Sequence, residues 1–345
     1  MKIVIACDSF KGSCTSEQVA AAIIDGIHEL LGRSQVDVRR VLIADGGEGT
    51  MRTLCQALHG TLVSVPAHDA IMRPIESEYA ILPDGTAVMD MAETGGITRL
   101  NRNELDPMNA TTYGLGEQIV SALARECTRI YIGLGGSATT DGGRGMTQAL
   151  YDAGVTDTKA NIRVLCDVTN PLYGDNGAAY VFSPQKGANP EQVRLLDERL
   201  RAWAAASPHP EAAHIPGAGA AGGLGFALMC FLHAELVSGI ETILECQHFD
   251  ELLTGADLVL TGEGKMDRQT LMNKAPLGVL RHASRYGVPV VGLAGKVEDK
   301  QVLLQAGFSD IVEINPPHTP LQQAMQTEFA MERLRITTKQ ILRNV

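Results

Sequence analysis

The sequence predicts an α/β protein built on a mostly parallel sheet, with a second α/β domain inserted into the first. Three observations carry this. Apolar strands alternate with helical periods, each strand ends in a glycine- or acid-rich loop, and one stretch breaks the alternation with a hairpin.

The first strand is the apolar run Lys2–Cys7, closed by Asp8-Ser9-Phe10-Lys11-Gly12-Ser13. A helix follows from about Ser16, with Val19, Ile23, Ile27 and Leu30 on one face. Thr15 and Gln18 have the spacing of a capping box. Val36–Ala44 is the second strand and runs into Asp45-Gly46-Gly47-Glu48-Gly49. Glu76–Leu82 and Thr86–Met91, joined through Pro83-Asp84-Gly85, form the antiparallel hairpin that marks a change of domain after about residue 68. Arg129–Leu134 leads into Gly135-Gly136-Ser137-Ala138-Thr139-Thr140-Asp141-Gly142-Gly143. Asp257–Leu260 leads into Thr261-Gly262-Glu263-Gly264-Lys265-Met266-Asp267, and Val288–Leu293 and Asp310–Ile314 are the last strands. No internal repeat is visible.

Glycine stands out in the composition: 36 of 345 residues, where average usage would give about 24. The formal charge of −11 lacks the basic footprint of a non-specific nucleic-acid binder. The longest uncharged stretch, His214 to Ala234, holds Pro216 and five glycines, which argues against a membrane span. Seven cysteines without a C-x-x-C pair read as free thiols of a reducing cytoplasm. No histidine spacing suggests zinc.

Ligands of open α/β sheets sit beyond the carboxyl ends of the strands. The loops there hold Asp8, Lys11, Asp45, Glu48, Ser137, Asp141, Glu263 and Asp267. Glycines ahead of a helix let backbone N–H groups approach an anion. Carboxylates in the same loops fit phosphate if Mg²⁺ stands between them. Together the loops read as a magnesium-nucleotide or sugar-phosphate site; singly, each also reads as turn glycines with acidic helix caps. Asp167 projects at the end of a short strand, and Lys186 lies in the turn Ser183-Pro184-Gln185-Lys186-Gly187. No P-loop, protein-kinase set or Gly-x-Ser-x-Gly elbow is present. Gly217-Ala218-Gly219-Ala220-Ala221-Gly222 matches a dinucleotide fingerprint, but no buried strand precedes it.

At these residues the chain resembles the bacterial class I glycerate kinase family. The resemblance rests on Asp8–Gly12, Ala44–Thr50, Gly135–Thr139, Pro184–Ala188, Pro216–Gly223 and Thr261–Gly264, in the family's order over roughly residues 1 to 315. It implies ATP-dependent phosphorylation of D-glycerate with Mg²⁺, in a cleft between two domains, giving 2-phosphoglycerate with the 3-isomer as an alternative. It also implies two α/β domains, one flavodoxin-like and one restriction-enzyme-like, on a discontinuous chain path. The expected division is 1–68 plus 285–345 for the first domain and 69–284 for the second. The expected enzyme is cytoplasmic, with a small-molecule substrate, no nucleic-acid or membrane partner, and self-association left open.

Within that resemblance, Gly135, Gly136, Ser137, Gly142 and Gly143, with Lys186, are expected to hold ATP. Asp141, Glu263 and Asp267 are expected to hold Mg²⁺. Asp45 is the expected proton acceptor, with Asp8 and Lys11 beside it in catalysis. Lys11, with Lys186 or Arg73, is expected to pair the substrate carboxylate, and Glu48 and Asp167 complete the substrate contacts.

The chain also departs from the family pattern. Cys7 replaces a proline and Thr140 an asparagine, and Lys296 stands where a small residue is usual. His68-Asp69-Ala70-Ile71-Met72 replaces a glycine-rich turn, and the stretch from Leu150 to Val164 is short. Altered segments at the acceptor pocket would change the acceptor to a related hydroxy acid. A non-catalytic nucleotide- or metabolite-binding homologue and, from Gly217–Gly222 alone, an NAD-dependent dehydrogenase are the other readings.

Overall fold

The structure, a computed structural model, describes residues 1–344 apart from Asp45 and Asn273. Among them run eleven strands: β1 (Lys2–Cys7), β2 (Asp37–Arg40), β3 (Thr61–His68), β4 (Pro74–Ile81), β5 (Thr86–Asp90), β6 (Arg129–Gly133), β7 (Asn161–Leu165), β8 (Glu235–Val237), β9 (Leu258–Met266), β10 (Val290–Val297) and β11 (Asp310–Glu313). They form two sheets in two compact units, one made of Met1–Asp45 with Ile240–Val345 and the other of Gly46–Gly239.

The first unit carries the sheet β11-β10-β9-β1-β2, parallel throughout. Counted within the unit, this is the 2-1-3-4-5 order of flavodoxin-like doubly wound sheets. β1 lies between β9 and β2 and is buried from Ile3 to Cys7, which explains its unbroken apolar run. The helix Ser16–Leu31 covers it with Val19, Ile23 and Ile27, and the expected capping box is formed by Thr15 and Gln18. Gly26 lets the C-terminal helix Thr327–Leu342 approach closely: a Cβ there would stand 2.6 Å from the Arg335 carbonyl oxygen.

The expected strand Val36–Ala44 pairs only over Asp37–Arg40. Beyond Val41 the chain leaves the ladder, and side chains take over its backbone groups. Gln247 Oε1 accepts from the Leu42 N–H at 3.0 Å, and Ser16 Oγ accepts from that of Ile43 at 3.2 Å.

A buried histidine braces this unit. His282, 5% exposed, contacts Asp250 Oδ1 through Nδ1 at 2.5 Å and Glu241 Oε2 through Nε2 at 2.7 Å. The Glu241 bond, opposed by burial and helped by Asp250, raises its pKa. Stability from a raised histidine is complete below its unfolded value of about 6.5 and is lost as pH climbs through the folded value. His282→Gln is therefore expected to lower stability by about 1–2 kcal/mol in mild acid, a figure kept small by the half-exposed carboxylates. The gap between wild type and variant narrows as pH rises, which thermal unfolding across pH 5.5 to 9 would follow. A gap constant across that range would show that the imidazolium contributes nothing.

The second unit carries the mixed sheet β3-β4-β5-β6-β7-β8. β3 to β5 are antiparallel neighbours and β5 to β8 parallel ones. The expected hairpin is present as β4 and β5, with β3 as an unforeseen third strand along the full length of β4. The expected boundaries move for a reason written in the ladders. β3 hydrogen-bonds within the second unit and β9 between β1 and β10, so the division falls at 45/46 and 239/240 rather than 68/69 and 284/285. The two-segment path of the first unit remains.

The turn between β3 and β4, where His68–Met72 departs from the family, is built on Asp69. Its carboxylate accepts the Ile71 and Arg73 N–H groups and the Arg73 Nε at 3.0, 2.9 and 2.6 Å. The uncharged stretch becomes the 13-residue helix Ala220–Leu232, broken by positive φ at Ala221, Gly222 and Gly223. Among the described residues no helix is long and apolar enough to cross a membrane. All seven cysteines are free.

Candidate functional site

In the first unit, β1 and β9 run side by side and their carboxyl ends deliver Asp8 and Glu263. Here the connections turn to opposite sides of the sheet, which opens a crevice. Asp8 is buried at the end of β1. Its backbone N–H donates to the Gly262 carbonyl at 2.9 Å, and its Oδ1 accepts the Ser9 N–H at 2.6 Å. The loop then closes on itself through paired Phe10 and Cys14 backbone bonds and presents Lys11 to solvent. Glu263 accepts from Thr270 Oγ1 at 2.8 Å and from Lys274 Nζ at 3.2 Å. Asp8, Lys11 and Glu263 line one cavity of about 810 Å³.

Asp267 behaves otherwise. One carboxylate oxygen accepts the Gln269 N–H at 2.8 Å and the other pairs with Lys265 at 3.1 Å. Burial pushes its pKa up, but the Gln269 amide and the Lys265 charge outweigh it and hold the carboxyl below the usual range. Asp267 also caps the turn Arg268–Leu271.

In the second unit the glycine loops meet each other. A Cβ on Gly135 would lie 2.4 Å from Gly47 Cα, and one on Gly222 would lie 2.0 Å from the Thr139 carbonyl oxygen. The Asp45–Gly49 and Gly135–Ser137 motifs are thus back to back from Gly46 onward, and Pro216–Gly223 packs under Thr139-Thr140. Gly142 and Gly143 are likewise filled in, by Trp203 and Ala227. Gly142 and Gly143 face side chains and Gly222 faces backbone, and all three hold a positive φ that favours glycine. Gly217–Gly222 is accounted for without a dinucleotide. Gly136 alone of the expected cradle is exposed, and it faces the Glu48 carboxylate. Glu48 in turn accepts from Thr98 Oγ1 at 3.1 Å.

Asp141, an expected metal ligand, has a carboxylate that accepts four hydrogen bonds: from the Thr112 N–H and hydroxyl at 2.9 and 2.8 Å, and from the Gly143 and Gly145 N–H groups, both at 3.0 Å. It caps the helix Arg144–Asp152 and ties it to Thr112. Arg73 pairs with Asp69 at 2.6 Å and Glu104 at 2.7 Å and so braces the turn. Asp167 follows β7 and accepts the Gly239 N–H at 3.2 Å.

Two of the expected residues do come together. Lys186, 2% exposed, donates to Ser137 Oγ at 2.9 Å and to the Thr139 carbonyl at 2.6 Å. Burial, opposed by the nearby Asp141 charge, lowers its pKa to about 7. Its hydrogen-bond partners are neutral oxygens, so when protonated it retains attraction for an anion despite the nearby Asp141 charge.

One residue of this region has no counterpart in the sequence reading. Asp90, buried at the end of β5, accepts the Gly49 N–H at 2.8 Å and the Met51 N–H at 3.1 Å. It anchors the loop that carries Glu48 and caps the helix Thr50–Ala57. Burial pushes its pKa up to about 7 against those two backbone bonds. An acid closing an apolar strand was its signal in sequence. Asp45 lies outside the described residues.

The described residues contain no cluster of three or more metal-ligating side chains. Among the expected ligands Asp141 and Asp267 also cap helical turns, while Glu263 shares one cavity with Asp8, which was expected in catalysis. That donor set fits a Mg²⁺ ion that takes one or two carboxylates and completes its shell with phosphate and water.

Comparison with known proteins bears on the same residues. The chain matches the profile of the Glycerate kinase family over residues 3–160 and 152–345. It is 39% identical to a glycerate 2-kinase of Escherichia coli strain K12, over 95% of this chain and 94% of that one. It is 38% identical to a glycerate kinase of Halalkalibacterium halodurans, over 94% and 93%. The crystal structure of a protein given as glycerate kinase 2 of Salmonella typhimurium LT2 superimposes with a TM-score of 0.84 at 35% identity, covering 100% of this chain and 98% of that one.

Proposed function

Because the chain belongs to the glycerate kinase family and is a glycerate kinase, we propose that it transfers the terminal phosphoryl group of ATP to the 2-hydroxyl of D-glycerate. The 2-position follows the relative named glycerate 2-kinase. In this reaction the bond from the γ-phosphorus to the bridging oxygen of ADP breaks and a bond to the glycerate oxygen forms. The hydroxyl proton leaves to a carboxylate, a role we assign to Asp45. The observation that carries the acceptor half is the buried Lys186–Ser137 pair, whose ammonium has neutral hydrogen-bond partners and so favours the glycerate carboxylate.

Bound with the nucleotide, Mg²⁺ would neutralise phosphate charge, and Asp8 and Glu263 are the residues that would hold it. The protein's own share is positioning and charge placement. Lys11 stands on the cavity wall with them, and Asp90 fixes the loop bearing Glu48.

A coupled assay over a panel of small hydroxy acids, with phosphorus NMR of the product, tests the reading. Turnover is expected with D-glycerate, ATP and Mg²⁺, with 2-phosphoglycerate as product. A 3-phosphate product, or preference for another hydroxy acid, overturns the corresponding part. In the same assay, an Asp45→Asn enzyme with a kcat near the parent's would remove Asp45 from proton transfer.

A further inference from the structure

The cavity of the first unit has two chemically different halves. Phe10, Ile314, Leu321 and Met325 give it an apolar wall, with Leu321 leaving 76% of its surface exposed on the rim. Lys11, Lys265, Lys274 and Lys296 share the remaining lining with Asp8, Glu263, Glu298 and Glu313. The lysines and acids are interleaved rather than segregated. Lys274 meets Glu263 at 3.2 Å, Lys265 meets Glu298 at 2.9 Å, and Lys296 meets Glu313 at 3.4 Å.

This arrangement selects among ligands. A small hydroxy acid has no apolar surface for the wall and would leave most of about 810 Å³ unfilled. A simple organic anion could draw off the lysines but would strand their carboxylates, and a simple cation would do the reverse. A ligand that brings phosphates and a divalent cation together satisfies both sets at once, with phosphate oxygens on ammonium groups and the cation on carboxylates. A purine ring fills the apolar half. The location agrees, because the cavity opens beyond the carboxyl ends of β1 and β9, at the switch point of the doubly wound sheet.

We infer that this cavity is the site of the metal-complexed purine nucleotide, with its base against Phe10, Ile314 and Met325 and its polyphosphate across the lysine–carboxylate rim. The inference rests on the kinase reading, since it gives the donor an address. It places the donor in the first unit and not at Gly135–Gly143.

Hydrogen exchange of the intact protein with and without saturating MgADP tests it. Slower exchange is expected at residues 9–13, 263–266 and 314–325. Lys296→Ala, a change on the exposed rim, is expected to weaken MgADP about tenfold and leave adenosine binding unchanged. ADP in the presence of EDTA is expected to bind more weakly than MgADP. Protection confined to residues 135–143 would overturn the site. So would a saturable change in Trp203 fluorescence without protection of the cavity, because that indole donates to the Gly142 carbonyl at 2.9 Å. Glycerate-dependent ADP release on the same preparation separates the two claims. Turnover without cavity protection overturns this site and leaves the kinase reading standing. Cavity protection without turnover supports the site and overturns the proposed acceptor.

Discussion

Lys186→Met is expected to lower kcat/KM for glycerate by about 10²–10³-fold, the usual loss when a preorganised charge is removed from a desolvated site. Methionine keeps the length and apolar volume of the side chain, so packing is preserved. The variant leaves Ser137 Oγ and the Thr139 carbonyl without the donor they have now. That loss of about 1–3 kcal/mol is offset by removal of a buried charge. Stability near neutral pH is therefore expected to change little.

The pH dependence gives a signature that lost packing cannot imitate. Lys186 has its pKa lowered to about 7 by burial, whereas an unfolded lysine titrates near 10.4. Between those values the unfolded chain holds the proton and the folded one does not, so stability rises with pH across that window. The full gain is on the order of a few kcal/mol. Asp90 has its pKa raised to about 7 by burial, so its contribution is confined to the acid side of that value, where stability falls as pH rises from about 4. Denaturant unfolding from pH 7 to 10 should show the rise in wild type and a flatter profile in Lys186→Met. Identical slopes would mean that the ammonium is not desolvated, and intact kcat/KM would remove it from the acceptor site.

Asp141→Ala is expected to lower the melting temperature of the second unit by about 10 °C. The substitution strands four donors, the Thr112, Gly143 and Gly145 amides and the Thr112 hydroxyl. Thr112 Oγ1 also accepts the Met146 N–H at 2.9 Å, so the loss spreads into the helix Arg144–Asp152. Partial exposure lets water replace some of these bonds, which leaves about 3–5 kcal/mol. At roughly 2–4 °C per kcal/mol for a unit of this size, the shift is readily measured. A metal ligand would behave differently, with Asp141→Asn raising the Mg²⁺ requirement at an unchanged melting temperature. That result would support the metal role expected from sequence.

The contrast between these two residues shows what was legible in the chain. Strand β1 and the helix after it could be read because burial imposes a period on side chains, and the capping box because it is local. Lys186 and Ser137 were each suspected, but 49 positions separate them, and no local pattern announces such a contact. Asp141 reads in sequence as a metal ligand, yet an acid between glycines is equally the group that satisfies unpaired amides at a helix start. Which use it serves depends on Thr112, and only the folded chain brings that residue near. The two compact units divide at other positions than the expected domains for a related reason: β9 is apolar enough to join either sheet, and partner choice is tertiary. Of the glycines expected to hold phosphate, Gly142 and Gly143 carry positive φ against neighbouring side chains, a packing use that no local pattern distinguishes from a phosphate contact.

The split origin of the first unit also sets the order in which it can be made. β1 leaves the ribosome well before its neighbour β9, which begins at Leu258. At about 5–20 residues per second, that partner follows on the order of 10–50 s later. In the interval the continuous segment Gly46–Gly239 can collapse on its own sheet. The apolar strand Ile3–Cys7 meanwhile has one flank open, the kind of edge that recruits chaperones or a neighbouring nascent chain. Production of this kinase is thus most exposed to aggregation during its own synthesis, before the centre of its first sheet is closed.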